Sequence, residues 1–223
     1  MVSKYYLAVA MAFVTCLLVS NIIAVKLIEA PVFGVFVPAA LVVFPLSYIF
    51  GDILTEVYGF AKARTVIWLA FACNLLAVVF FALGQAMPPA APFADVQGAY
   101  ERVLGYTPRL LAASFLAYLV GEFANSLVLA KMKVATQGRF LWARTIGSTI
   151  VGEGLDTGVF NVVAFAGVLP GEALASTVLA AWTLKVVYEA AATPLTYVIV
   201  GYLKRVEGID TYDTSTSFNP LRL

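Results

Sequence analysis

Histidine does not occur in this 223-residue chain, and that absence removes imidazole metal ligands, imidazole general bases and histidine pH switches together. Cysteine occurs only as Cys16 and Cys73, each inside a separate apolar run, where a thiol acts as a small buried hydrophobe rather than as half of a disulfide or a metal site. Charged residues are scarce, at 12%, and the formal net charge is +1, so the balance gives no reason to expect a nucleic-acid partner. There is no Walker A sequence, no Cys or His ligand spacing and no polar segment large enough to hydrolyse ATP, so no cofactor is expected. What fills the chain instead is apolar: 62% of residues are hydrophobic and the mean hydropathy is +0.93. A soluble domain of this composition could not cover itself with polar surface, so the bilayer is its natural solvent.

Several apolar runs reach the roughly 20 residues that cross a hydrocarbon core of about 30 Å. They predict an all-α integral membrane protein, one transmembrane domain over 1–223 with six transmembrane helices at about 5–25, 35–58, 64–87, 109–131, 144–169 and 173–203. The first run is too long, and too poor in small-x-small cleavage sites, to be a removed leader, so it counts as helix one. Lys4, Lys62, Arg64, Lys131, Lys133, Arg139, Arg144, Lys204, Arg205 and Arg222 fall on the side of the termini, against Arg102, Arg109 and Lys26 opposite. By the positive-inside rule both termini are cytoplasmic. The connection at about 88–108, with Pro88, Pro89 and Pro92, then lies outside, and a short amphipathic helix is expected around Asp95 to Leu104. The halves echo each other: Gly51, Asp52, Thr55 and Glu56 against Gly152, Glu153, Asp156 and Thr157, and Asn21 with Lys26 against Asn125 with Lys131. Three helices per half would make a 3+3 inverted repeat, which sets a solute site near the midplane.

Asp52, Glu56, Glu122, Glu153, Asp156, Lys185 and Glu189 all fall well inside predicted spans. Each would cost about 2.5–3.5 kcal/mol at a lipid-facing helix centre, on the order of 20 kcal/mol together. They must therefore face the bundle interior or a wet cavity. Asp52 with Glu56 and Lys185 with Glu189 are four apart, and Glu153 with Asp156 three apart, so each pair shares a helix face. Buried pairing suits Lys185 with Glu189, but the acids still outnumber the lysine by five, an excess that protons, basic groups from the helix ends or a bound cation must offset. Asn21, Asn74, Gln85, Asn125 and Asn161 extend the polar interior as helix-to-helix glue or as readers of a heterocycle. Trp68, Trp182, Tyr48, Tyr118 and Tyr188 lie near these positions and offer faces on which a flat solute could stack. Pro45 and Pro194 are placed inside spans, where each would free a carbonyl, and Gly154-x-x-x-Gly158 would permit close helix packing.

Four stretches resemble the queuosine precursor transporters, also called the vitamin uptake transporter family. They are Ser20-Asn21-x-x-Ala24-x-Lys26, Phe44-Pro45-x-x-Tyr48-x-x-Gly51-Asp52-x-x-Thr55-Glu56-Val57-Tyr58-Gly59, Gly121-Glu122-x-x-Asn125, and Arg144-Thr145-Ile146-Gly147-Ser148 through Gly152-Glu153. Tyr212-Asp213 with Phe218-Asn219-Pro220 is similar to the family's ending. The resemblance implies a multi-pass carrier of the bacterial inner membrane, not an enzyme, that imports 7-deazaguanine precursors such as preQ0 and preQ1. On that reading Asp52, Glu56, Glu122 and Glu153 contact the base edge and amine with Asp156 a further substrate-binding residue, Asn21 and Asn125 read it as amides, Trp68 or Trp182 stacks on it, and Lys185 with Glu189 forms a gating or positioning pair. Its partners would be this small nucleobase-like substrate, the lipid bilayer and, for so small a carrier, a second copy in a homodimer. Two other classes stand beside it. One is a substrate-capture subunit of an ATP-driven vitamin importer, docking through Ala8-x-x-x-Ala12; the other is an intramembrane enzyme using acids near Thr55, Ser148 or Thr157.

Overall fold

The structure is a computed structural model that describes residues 3–29, 36–105, 108–168 and 170–222. Its long helices are α1 (Lys4–Ile23), α2 (Phe44–Ile53), α3 (Phe60–Ala86), α5 (Pro108–Ala135), α6 (Leu141–Phe165) and α7 (Gly171–Glu207); the short α4 is Gln97–Leu104. A two-stranded antiparallel ribbon, β1 (Leu27–Glu29) with β2 (Phe36–Pro38), joins α1 to α2. Lys26 lies at the turn leading into it, and residue 35, the first of the expected second span, lies outside the described residues.

Five helical stretches are long and apolar enough to cross a membrane: Lys4–Ile23, Ala39–Tyr58, Phe60–Ala86, one within Ala91–Ala135, and Leu174–Glu207. The protein is thus a multi-pass helical membrane protein. The segment expected at 144–169 is a helix of 25 residues, α6, but Arg144, Glu153, Asp156 and its Gly, Ser and Thr residues make it less apolar than the other five. It lies packed along α5 on one side and α7 on the other. The α5–α6 crossing is made by glycine: a Cβ on Gly152 would sit 2.5 Å from the Cβ of Asn125, and one on Gly121 would sit 2.7 Å from the Cβ of Asp156. This close approach places Glu122 and Asn125 of α5 directly beside Glu153 and Asp156 of α6. Gly154 and Gly158 do not make it, because Gly154 faces the indole of Trp182 and Gly158 has no neighbour within 4 Å.

The second span is not one continuous α-helix. A 3-10 turn at Ala39–Val42 precedes α2, and a π-helical turn, Leu54–Tyr58, follows it. Pro45 falls in the first turn of α2, where its missing N–H has no intrahelical partner to lose, so it starts the helix instead of kinking it. Pro194 does lie inside α7, a helix of 37 residues and roughly 55 Å, longer than a bilayer core is thick. The expected outer helix is present as α4, preceded by a 3-10 turn at Ala91–Val96. Apolar packing of Phe13, Leu17, Ile53, Phe60, Ile67 and Ala70 joins α1, α2 and α3.

The chain after α7 returns across the helix ends on the side of the termini. Asp213 accepts from the backbone N–H of Phe60 at 2.9 Å and so caps α3, satisfying a donor that the helix itself leaves free. Arg64 donates to the carbonyls of Ser217 and Asn219, the Trp68 indole donates to the carbonyl of Pro220, and Phe218 packs against Phe60. Gly59, between the π-helical turn and α3, has φ +85°, and a Cβ there would lie 2.6 Å from Thr211. The sharp turn and the returning tail therefore both require glycine at this position.

Candidate functional site

Charged side chains in the interior form two layers. The first lies at the helix ends on the side of the termini, around Glu56 on the π-helical turn. Glu56 is 1% exposed and its Oε1 accepts from Arg144 at 2.7 Å and Lys204 at 2.7 Å, with Lys133 at 3.7 Å. Lys133 also donates to the backbone carbonyls of Glu56 and Thr211 and to Asp210 at 2.5 Å, and Lys204 reaches Asp210 at 2.9 Å. Two acids thus meet three cations contributed by α5, α6 and α7. Burial alone would push the Asp210 carboxyl up, but hydrogen bonds from Lys133 and Lys204 outweigh it and hold the group below its ordinary range. This layer is cross-linked through Glu56 Oε1, while Glu56 Oε2 is buried with no hydrogen-bond partner among the described residues.

The second layer, termed the middle layer, holds Asp52 at the penultimate position of α2 and, nearer the middle of their helices, Glu122 on α5, Glu153 and Asp156 on α6, and Lys185 and Glu189 on α7. Lys185 donates to Glu153 at 2.5 Å, Asp156 at 2.8 Å and Thr157 at 3.2 Å, and its ammonium lies 4.6 Å from the Phe44 ring centre. The expected pairing of Lys185 with Glu189 is not formed. Two carboxylates on the facing helix α6 give the ammonium more than one turn-related neighbour could, and Glu189 is left with both oxygens unpartnered among the described residues. Glu122, 0% exposed, likewise has neither oxygen hydrogen-bonded, nor does the hydroxyl of buried Tyr48. Asp52 accepts from the Asn125 amide at 2.7 Å through one oxygen, and its other oxygen is unpartnered. With Glu56 removed to the end layer, five acids stand against one lysine here, an excess of four rather than five.

The remaining expected site residues fall elsewhere. Asn21 bonds Asn74 at 3.2 Å beside a cavity of about 100 Å³ that Leu18, Ile22, Ala77, Val78 and Phe81 complete, and none of the acids lines it. Small-molecule pockets start at roughly 300 Å³, so this cavity would not hold a bicyclic base. Trp68 serves the tail, as above. Trp182, one turn before Lys185, donates to the carbonyl of Ile150 and is half-buried against α6. Asn161 donates to the carbonyl of Thr157 within its own helix, and Tyr118 donates to that of Ile67, so both serve packing. Among the described residues no three acids or thiols come close enough to hold a metal ion.

The sequence pattern did not single out Asp210, Lys133 and Lys204 as partners of Glu56. The basic residues read as orientation signals, and nothing in a linear pattern joins them to an acid 77 or 148 positions away. Of the cations around Glu56, only Arg144 stands in one of the four motif stretches.

Residues 38–199 match the family model described as "Putative vitamin uptake transporter". The chain belongs to that family. The matched region runs from the start of the second span to near the end of α7 and holds every member of the middle layer. The vitamin uptake transporter chain is also 29% identical over 179 residues to a protein of Bacillus subtilis (strain 168) named "Probable queuosine precursor transporter", covering 80% of this chain and 77% of that one. No solved structure matches it.

Proposed function

We propose that this protein is a carrier that imports queuosine precursors, 7-deazaguanines such as preQ0 and preQ1, across the bacterial inner membrane. In this reading α6 is a sixth transmembrane helix, both termini are cytoplasmic and the chain forms a single transmembrane domain. The observation that carries the proposal is the middle layer: buried carboxyls of Asp52, Glu122 and Glu189, on three helices, with oxygens that no donor satisfies among the described residues. Buried acceptors are nearly always hydrogen-bonded in a folded protein, and in a bilayer the cost of leaving them unpaired is larger still. A solute that donates hydrogen bonds would resolve this. A deazaguanine presents a ring N–H beside an exocyclic amine, which one carboxylate can accept together, and a flat face for an aromatic ring such as Tyr48. The named relative supplies the substrate class.

Asp52, Glu122, Glu153, Asp156 and Glu189 are assigned to the substrate, with Asn125 holding Asp52 and Lys185 positioning the two acids of α6. Trp182 is the stacking candidate at the edge of the layer. Glu56, Trp68 and Asn21 support it from outside. The enclosed packing around the acids means that helices must part for a solute to reach them, as in alternating access. Uptake of radiolabelled preQ1 and preQ0 by proteoliposomes containing the purified protein alone tests the reading. Saturable uptake that is lost in Asp52→Asn and Glu153→Gln is expected. Uptake by empty liposomes equal to that of the loaded ones, or full activity in both variants, would contradict it.

A further inference from the structure

The middle layer has two unlike halves. In one, Lys185 shows how this interior holds a primary ammonium group: three acceptors, Glu153, Asp156 and Thr157, satisfy its three donors. In the other, Asp52, Glu122 and Glu189 present buried carboxyl oxygens and Tyr48 a hydroxyl, and none of these acids is in an ion pair among the described residues. Glu122 lies directly against α2, its Oε2 being 3.1 Å from where a Cβ on Gly51 would sit, next to Asp52. Asp52 interacts electrostatically with Glu122, Glu189 and Glu56, and Glu122 with Glu153, Asp156 and Lys185.

We propose that Asp52, Glu122 and Glu189 form a subsite for a cationic amine on the substrate, and that the ammonium takes the place of protons held by these carboxyls. The inference rests on the carrier reading above and narrows its substrate to the amine-bearing base. On binding, a carboxyl O–H bond breaks, its proton leaves to solvent, and the ammonium N–H groups donate to the freed oxygens; the buried charge is unchanged. Asn125, donating to Asp52, fixes one wall. The charged and titratable groups facing the subsite are Tyr48, Asp52 and Glu56 from the second span, Tyr118 and Glu122 from α5, Glu153 and Asp156 from α6, and Lys185 and Glu189 from α7. Lys185 is already held by α6, which leaves the incoming amine as the cation for the other three acids.

Calorimetric titration of the full chain in detergent, run in two buffers of different ionisation enthalpy, counts protons released on binding. The probes are preQ1, which carries an aminomethyl cation, and preQ0, whose nitrile is neutral. Release of about one proton with preQ1 and none with preQ0 is expected, with preQ1 affinity rising about tenfold per pH unit for each proton released. Glu122→Gln and Glu189→Gln should each weaken preQ1 by at least about tenfold more than they weaken preQ0, and equal weakening of the two probes overturns the inference. Binding of preQ1 without proton release, or equal release with both probes, overturns this inference and leaves the carrier reading standing. Failure of both probes to bind the folded protein overturns the two together.

Discussion

Glu56 and Glu122 are both carboxylates buried to within 1% of full enclosure, yet their surroundings are opposite. Glu56 is met by Arg144, Lys204 and Lys133 at the helix ends, and the chain's own tail adds Asp210 to the same network. Glu122, at the middle of α5, meets no donor at all among the described residues. Both layers use the same residue types, so composition does not separate them. Depth along the helices does. Long basic side chains at helix ends reach acids one turn inside, whereas mid-helix acids can be reached only from another helix's middle, where Lys185 stands on α7. On the proposed reading, the compensated layer fixes structure and the uncompensated one is left for a solute.

The largest effect should come from breaking the compensated layer. Arg144→Leu leaves Glu56 with one close cation, Lys204, and a distant one, Lys133, and removal of one partner from a buried ion pair costs about 3 kcal/mol or more. A large fall in the apparent unfolding midpoint of the detergent-purified variant is the expected result. Glu189→Gln should do much less. It keeps the shape and loses no protein partner, so the ligand-free midpoint should move by less than about 1 kcal/mol equivalent while preQ1 uptake falls. Loss of stability as large as that of Arg144→Leu would erase the distinction between the layers.

The smallest effect belongs to Asp210, which is partly exposed. Its carboxyl is held below its ordinary value of 3.8, so its contribution is fully present above that pH and fades as pH falls through the lower, folded value. Asp210→Asn should remove this part of the acid sensitivity and shift neutral-pH stability by no more than about 1 kcal/mol, since solvent screens the pair. Unfolding midpoints measured between pH 2 and 7 check the sign.

Hydropathy and the spacing of Asp52, Glu153, Asp156 and Glu189 made the membrane class and the mid-helix acids legible, because a charge inside an apolar run has few explanations. The pairing of Lys185 was not legible. Helical spacing reports only neighbours on one helix, and the stronger interaction came from Glu153 and Asp156 of α6, which packs against α7. The basic partners of Glu56 were not legible for the same reason: a sequence shows its i, i+4 relation to Asp52 but not the π-helical turn on which it lies. The tail's Asp213 and Pro220 were visible only as a resemblance, since a cap supplied 153 positions away leaves no local pattern.

The central claim is that the middle layer, and Glu122 within it, holds the substrate. Its most direct test is the shift in unfolding midpoint on adding preQ1 to wild type and to Glu122→Gln. At a concentration of 100 times Kd, a ligand that binds only the folded state adds about 2.7 kcal/mol. The account predicts a clear upward shift for wild type, and for Glu122→Gln an unchanged ligand-free midpoint with that shift largely lost. An equal shift in both proteins would contradict it.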